Sequence, residues 1–286
     1  MKPPVPYFGG KMTVGPAIAA LLPAHRHYVE PYCGSLAVLL AKPASAHETV
    51  NDLDMDLMRF WRVLRDRPAD LERVCALTPH SRAEHQAAFA SADDDLEAAR
   101  RVWVKLTQGR AGTQRRTGWR HFVKPNTSGP NSGMPAYLDA YVDRLAPAAE
   151  RLAEVSLECM PALDLIAKYG TEPDVLLYVD PPYLGSTRSK SWDGYPHEMR
   201  GEADHVDLAA ALHAARAAVV VSGYPSDLYD RELYAGWDRH TMAASTGQGD
   251  TWANRTEVLW SNRALGIQPA LFDLAAVTPD TEGATR

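Results

Sequence analysis

Residues 175–183 read Val175-Leu176-Leu177-Tyr178-Val179-Asp180-Pro181-Pro182-Tyr183. Five apolar or aromatic residues in succession, without alternation, suit a strand covered on both faces, as in a parallel sheet between helices. The two prolines that follow cannot donate to a ladder, so the strand ends at them. They leave a rigid, extended backbone whose carbonyl oxygens act as acceptors. With an aspartate in front and an aromatic ring behind, the four residues form a small planar clamp. Such a clamp suits a planar, amine-bearing ring stacked on Tyr183, its N–H groups donating to the Asp180 carboxylate and the Pro181 carbonyl. The bland alternative is a strand-ending turn with a capping aspartate.

The segments around this strand alternate in the same manner. Residues 26–40 read as a strand, a glycine-containing turn and a helix start. A second strand ends at Val50, before Asn51-Asp52, and a helix follows over 55–65. Its apolar residues Leu57, Met58, Trp61 and Leu64 stand at helical spacing, and Pro68 closes it. Residues 69–105 are alanine-rich and helical in pattern, interrupted at Thr78-Pro79. Residues 107–136 are rich in Gly, Thr, Asn, Ser and Pro, with Trp119 and Phe122 among the basic residues, and read as a long loop or hairpin. A helix is expected over 137–153, with a break near Pro147. Thereafter come a strand at 155–158, helices at 162–169 and 205–215, a strand at 217–221, and a last strand at 257–260 read as an antiparallel edge. Strands alternating with helices predict an α/β fold around a parallel sheet.

The chain has 286 residues, 45% apolar and 23% charged, which excludes disordered and fibrous classes. This length suits two domains, or one large domain with an insertion. Cys33, Cys75 and Cys159 are odd in number and far apart, so no disulfide framework or cysteine metal site is expected, and a reduced setting is. No apolar run approaches the ~18–20 residues of a membrane span, and residues 1–11 lack a signal-peptide core. The expected location is cytoplasmic. The net charge of −6 argues against a globally basic nucleic-acid binder. Between Ala98 and Leu138, however, there is no acid, while Arg100, Arg101, Lys105, Arg110, Arg115, Arg116, Arg120 and Lys124 all fall there. Such segregation suggests a polyanion-binding face on an acidic body. The alternative is a solvated face whose acids come from neighbouring segments.

In an open α/β sheet, ligands bind at the carboxyl ends of the strands. Glu30, Asp52 and Asp180 fall at such ends. An acid after the second strand suits the two hydroxyls of a ribose, and Gly34 lets backbone approach a cofactor closely. Each taken singly is also explained as a helix cap, a surface acid or an ordinary turn. Without a Gly-x-Gly-x-x-Gly fingerprint, a dinucleotide is not favoured. Ser222 lacks the strand-turn setting of a nucleophile, His205 reads as a structural residue near a helix start, and Cys33 as a small apolar packer.

Seven motifs stand in order along residues 6–262. They are Pro6-Tyr7-Phe8-Gly9-Gly10-Lys11, Tyr28-Val29-Glu30-Pro31-Tyr32-Cys33-Gly34-Ser35, Asn51-Asp52, Asp180–Tyr183, Asp204-His205, Val221-Ser222-Gly223-Tyr224 and Asn254-Arg255-Thr256-Glu257-Val258-Leu259-Trp260. This set resembles Dam-type, D12-class DNA adenine-N6 methyltransferases, which use S-adenosylmethionine (SAM). The resemblance implies a Rossmann-like SAM-dependent sheet formed by 1–54 and 151–263, a helical target-recognition insertion over 55–150, and a tail over 264–286. It further implies that Tyr7, Gly9, Gly10 and Lys11 line the SAM pocket and its passage to the target base. Glu30, Pro31 and Gly34 would form its methionine end, and Asp52 would hold the ribose. Asp180, Pro181, Pro182 and Tyr183 would bind an adenine flipped out of duplex DNA, at a cost of a few kcal/mol. Arg110, Arg115, Arg116, Arg120 and Lys124 would contact DNA in the cytoplasm, at the nucleoid, in a setting such as restriction–modification. Two departures stand out: Pro161 occupies the position of an acid expected near the SAM adenine, and residues 107–135 lack the Arg-Tyr-Asn…Phe-Asn pattern of GATC-methylating relatives.

An (Asp/Asn)-Pro-Pro-Tyr clamp also serves ribosomal-RNA adenine and protein-glutamine methyltransferases. The basic insertion favours DNA, and Asp180 speaks against a glutamine substrate. A catalytically silent DNA-binding protein on the same scaffold is the third reading, opposed by the intact Asp180 and Lys11. Finally, Gln268-Pro269-Ala270-Leu271-Phe272 has the Gln-x-x-Leu-Phe form of peptides that dock bacterial sliding clamps, with Gln268, Leu271 and Phe272 as anchors. A tail folded back onto the enzyme's own surface is the alternative.

Overall fold

The computed structural model describes residues 1–121, 133–185, 199–246 and 253–266. Phe122 and Lys124 of the basic stretch and the tail residues Gln268, Leu271 and Phe272 lie outside these. At the centre is a sheet of seven strands: β1 (His27–Glu30), β2 (His47–Asn51), β3 (Ser156–Glu158), β4 (Val175–Val179), β5 (Ala218–Gly223), β6 (Asp238–Thr246) and β7 (Ala253–Ser261). Their spatial order is β3-β2-β1-β4-β5-β7-β6. The first five strands run parallel, and β7 enters antiparallel between β5 and β6. The chain order reverses between β1 and β4, where Val29 pairs with Leu177. The crevice at their carboxyl ends is the switch point at which such sheets bind ligands.

Because side chains alternate along a strand, each face of the sheet builds its own core. Tyr28, Val50, Leu176, Tyr178, Val220 and Leu259 face one way. They join helices α2 (Met55–Asp66), α3 (Pro68–Ala76), α5 (Asp95–Gln108), α6 (Met134–Val142) and α7 (Leu145–Leu152) through Phe60, Trp61, Leu71, Trp103, Leu138 and Leu145. Val29, Leu177, Val179, Val219, Val221 and Trp260 face the other way, onto α8 (Ala162–Tyr169) and α9 (Glu202–Ala214) through Leu165, Ile166, Leu208 and Leu212. The unalternating apolar run at 175–179 is therefore a central strand buried on both faces. Two short helices, α1 (Gly15–Leu21) and α4 (Arg82–Ala87), complete the set named here.

Three sequence expectations are revised, and two elements were not foreseen. The segment after Gly34 forms successive tight turns rather than a helix, with Leu36 at φ +59°. The expected helix over 137–153 is the pair α6 and α7, broken at Asp143-Arg144. Pro147 sits in the first turn of α7, where its missing N–H has no intrahelical partner to lose. The last strand is interior, not an edge, because β6 lies outside it. Both β6, which opens on the polar residues Asp238, Arg239 and His240, and the short α1 lacked a legible apolar pattern. Among the described residues, no helix is long and apolar enough to cross a membrane.

Candidate active site

A cavity of about 550 Å³ opens at the carboxyl ends of β1, β2 and β4. Tyr7, Gly9, Gly10, Lys11, Glu30, Pro31, Gly34, Asp52, Asp180 and Pro182 all line it. Residues separated by up to 175 positions in the sequence, from Tyr7 to Pro182, thus share one wall. Pro161, Ala162 and Leu163, at the start of α8, line it too. So do Asn51 and Leu53 from the end of β2, and Asp204 and Asp207 from α9. Pro181 and Tyr183 do not line the cavity; both are buried just behind it.

The walls are tightly built. Gly34 has φ +45°, and a Cβ there would lie 2.9 Å from the Tyr7 ring. A Cβ on Gly10 would lie 2.9 Å from the Tyr7 carbonyl oxygen. The Gly34 carbonyl accepts from the Trp61 indole N–H at 3.1 Å, and its N–H donates to Asp52 Oδ2 at 3.1 Å. The Asp54 N–H donates to Asp52 Oδ1 at 3.0 Å, so two amides fix that carboxylate. Asn51, fully buried, donates to the carbonyls of Pro31 (2.9 Å) and Met160 (3.1 Å) and accepts from the Met160 N–H (2.9 Å). It ties together the loops that leave β1 and β3.

The reactive end is a buried network around Lys11, a side chain 5% exposed. Its Nζ donates to both Asp180 oxygens at 2.7 Å, to Tyr183 Oη at 2.5 Å and to the Gly9 carbonyl at 3.1 Å. Ser222 Oγ donates to Asp180 Oδ1 at 3.0 Å and lies 3.1 Å from Tyr178 Oη. Tyr183 Oη donates to Glu257 Oε1 at 2.6 Å, and its ring meets that of Tyr224 edge-on, centroids 4.5 Å apart. Burial pushes the Glu257 carboxyl above the usual range; nearby Lys11 pulls it down and Asp180 pushes it up. Burial likewise holds the Glu30 carboxyl well above its ordinary value, against the hydrogen bond from Tyr28 Oη at 3.1 Å.

Sequence reasoning missed Glu257, Ser222, Tyr224 and the bridging role of Asn51. The one available signal was Glu257 itself, an acid opening the apolar run Val258-Leu259-Trp260. His205 has a structural role: it is buried between Tyr229 Oη (2.7 Å) and the Met199 carbonyl (2.8 Å). Cys33 packs against Met58, with sulfurs 3.8 Å apart.

The acid-free stretch divides in two. On α5, Arg100 pairs with Glu84 and Glu97, Arg101 with Glu97, and Lys105 approaches Asp56, so neighbouring segments supply their acids. Beyond α5 the chain turns back on itself, with Gly109 bridged to Trp119 and hydrogen bonds joining Arg110 to Gly118 and Arg120 to Gln108. Here Arg116 lies over the Phe89 ring and Arg120 over Tyr137. Among the described residues, Arg110, Arg116 and Arg120 pair with no carboxylate. Trp119 stacks between His80 and His121, centroids 4.4 and 5.3 Å away.

A family model described as D12 class N6 adenine-specific DNA methyltransferase matches residues 7–244. The chain is 26% identical over 281 residues to a type II methyltransferase, M1.LlaDCHI, of Lactococcus lactis subsp. cremoris, an alignment covering 92% of this chain and 95% of that one. It is 23% identical over 251 residues to the retron Ec67 DNA adenine methylase of Escherichia coli, covering 84% and 83%.

Proposed function

The chain belongs to the D12 class of N6 adenine-specific DNA methyltransferases, and we propose that its cavity binds SAM while Asp180 receives the amino group of a flipped-out adenine. The enzyme acts on DNA and requires a methyl donor. Among the described residues of the lining, Asp52, Asp180, Asp204 and Asp207 are carboxylates and Glu30 a buried carboxyl, against one cation, Lys11. An acidic cavity suits a ligand carrying a sulfonium and an ammonium. Its volume lies in the range of small-ligand sites, and glycines leave room where a Cβ would strike Tyr7. Asp52, aimed by two backbone amides, would hold the ribose hydroxyls, and Glu30, Pro31 and Gly34 the methionine end. Leu53, Ala162 and Leu163 offer apolar surface to the adenine ring of the donor, beside the position where Pro161 replaces an acid.

When bound, SAM supplies a methyl group on a sulfonium sulfur that departs with its electron pair. Adenine N6 is a poor nucleophile because its lone pair is delocalised into the ring. An Asp180 oxygen that accepts an N6–H favours the pyramidal nitrogen and releases that lone pair for attack. As N6 gains the methyl group it sheds one proton, and Asp180 is the acceptor placed to take it. Positioning and electrostatics carry the rate. Ser222 fixes Asp180 Oδ1, and Lys11 pairs with the carboxylate before the target base arrives.

The helices over 55–150 and the turned-back segment 109–119 form the target-recognition part in this reading, with Arg110, Arg115, Arg116 and Arg120 meeting phosphates and base edges. The observation that carries the proposal is the Asp180 carboxylate at the cavity wall, held by Lys11 and Ser222 beside the sheet's switch point. Methyl-labelled SAM and duplex DNA, followed by base-resolution mapping of N6-methyladenine, test it. Asp180→Ala is expected to abolish transfer while SAM affinity changes by less than about tenfold, ~1.4 kcal/mol. Near-normal turnover of that variant refutes the assignment.

A further inference from the structure

Lys11 creates a difficulty for the reaction just proposed. Its ammonium occupies both Asp180 oxygens, at 2.7 Å each, which are the acceptors the incoming N6–H needs. Ser222 takes a third site among the carboxylate's about four lone pairs, so an incoming N6–H competes with Lys11 for Asp180. A buried cation that loses its carboxylate without replacement is strongly disfavoured. A replacement stands ready: Glu257 Oε1 lies 3.6 Å from Lys11 Nζ. The two are already linked through Tyr183, whose Oη accepts from Lys11 and donates to the same Glu257 oxygen. A movement of under about 1 Å brings the ammonium to hydrogen-bond distance of Glu257.

We propose, resting on the reading above, that Glu257 is a positioning residue for methyl transfer: the second carboxylate that takes the Lys11 ammonium when the target adenine occupies Asp180. Glu257 sits on the interior strand β7, opposite Met242 of β6, with a side chain 5% exposed. It is not part of the cavity wall, so it acts through Lys11 and Tyr183 rather than on substrate. Among the described residues, the charged and titratable groups that face it are Lys11, Asp180, Tyr183 and, one layer beyond, Tyr178. To receive the ammonium it must be ionised. Its carboxyl is held high by burial, so the handover fails as pH falls through a value above the ordinary carboxylate range.

The test uses the full chain and a duplex carrying its mapped target site. Glu257→Gln keeps the acceptor for Tyr183 Oη and removes only the charge. It is expected to lower kcat at least about tenfold, equivalent to ~1.4 kcal/mol, with SAM affinity and KM for DNA within about twofold. Glu257→Asp, which restores the charge, is expected to recover part of the loss. Lys11 left on Asp180 also obstructs binding of the amino group. The affinity ratio between duplexes bearing adenine and amino-free purine at the target therefore drops in Glu257→Gln, a readout without turnover. The wild-type single-turnover rate is expected to fall on the acid side with a limb absent from Glu257→Gln. Wild-type kcat in Glu257→Gln overturns the proposal, as does equal loss of SAM affinity and kcat, or failure of Glu257→Asp to recover activity. Should Glu257→Gln not fold, a wild-type single-turnover rate with no acid limb above the ordinary carboxylate range overturns it. A wild-type chain that methylates no DNA adenine refutes the underlying function instead.

Discussion

Asn51→Ala removes the side chain that holds two walls of the cavity together. Three hydrogen bonds disappear, at 2.9, 3.1 and 2.9 Å, leaving the Pro31 and Met160 carbonyls and the Met160 N–H without those partners. A buried polar group stripped of its partner costs roughly 1–3 kcal/mol. Asn51 also lines the cavity, so entering water would partner some of these groups, and the low end applies. Three groups at that end give a loss of about 3 kcal/mol. The effect is not confined to stability. Pro31 leads from β1 into the Gly34 turn, and Met160 immediately precedes Pro161-Ala162-Leu163, so both sides of the cavity become free to separate. Urea unfolding without SAM, alongside a SAM titration by calorimetry, measures the two consequences. The expected result is a lower unfolding midpoint at unchanged m-value together with SAM affinity weakened by tenfold or more. A loss below about 1 kcal/mol combined with wild-type affinity refutes the bridging role.

Gly34→Ala adds a Cβ 2.9 Å from the Tyr7 ring at φ +45°; the left-handed backbone alone costs about 1–2 kcal/mol, and SAM affinity measured by titration is expected to fall sharply. Replacing Arg110, Arg116 and Arg120 by Ala is expected to weaken DNA binding and lower the slope of log affinity against log salt by up to about 3, whereas an unchanged slope marks them as merely solvated. The Arg100 guanidinium bonded to Glu97, with Arg101 beside it, holds that carboxyl at about 2. Its folded value is depressed, so its stabilisation is present above the ordinary 4.5 and is lost as pH falls towards 2. Glu97→Gln is therefore expected to narrow the stability gap between pH 7 and pH 3 in thermal melts.

The parallel sheet was legible because strands buried on both faces carry unbroken apolar runs, as at Val175–Val179 and Ala218–Val221. The cavity residues were legible because their types and positions after strands restrict what they can do. Glu257, Ser222 and Tyr224 were not, because their roles arise only when β5 and β7 lie side by side, and an antiparallel insertion between distant strands leaves no local pattern. The edge strand β6 was hidden for a related reason: polar residues on an exposed edge interrupt the alternation that marks a strand. The charge run misled in part. Arg100, Arg101 and Lys105 belong to helix α5, where acids from Asp56, Glu84 and Glu97 meet them. Sequence order alone could not separate them from Arg110, Arg116 and Arg120.

The basic segment and the reactive lysine are joined more directly than their distance in sequence suggests. The Phe8 N–H, three residues before Lys11, donates to the Gly112 carbonyl at 2.7 Å. Gly112 has φ +61°, and a Cβ there would press on the Pro6–Tyr7 backbone at 3.2 Å. Two residues further on, Gln114 donates to Asp54, the residue that caps α2 and whose N–H fixes Asp52. The same α2 carries Trp61, which holds the Gly34 carbonyl. The turned-back segment therefore meets the chain just before Lys11 through a backbone hydrogen bond, and the Asp54 cap beside Asp52 through a side-chain one. Helices α2, α3, α5, α6 and α7 share one buried core with the sheet face of Tyr28, Val50 and Leu176, so this part of the chain cannot shift as a loose appendage. Arg110 and Arg116 stand on the segment that the Phe8–Gly112 hydrogen bond ties to the chain just before Lys11. The turned-back segment and the loop that carries Lys11 are thereby parts of one packed unit.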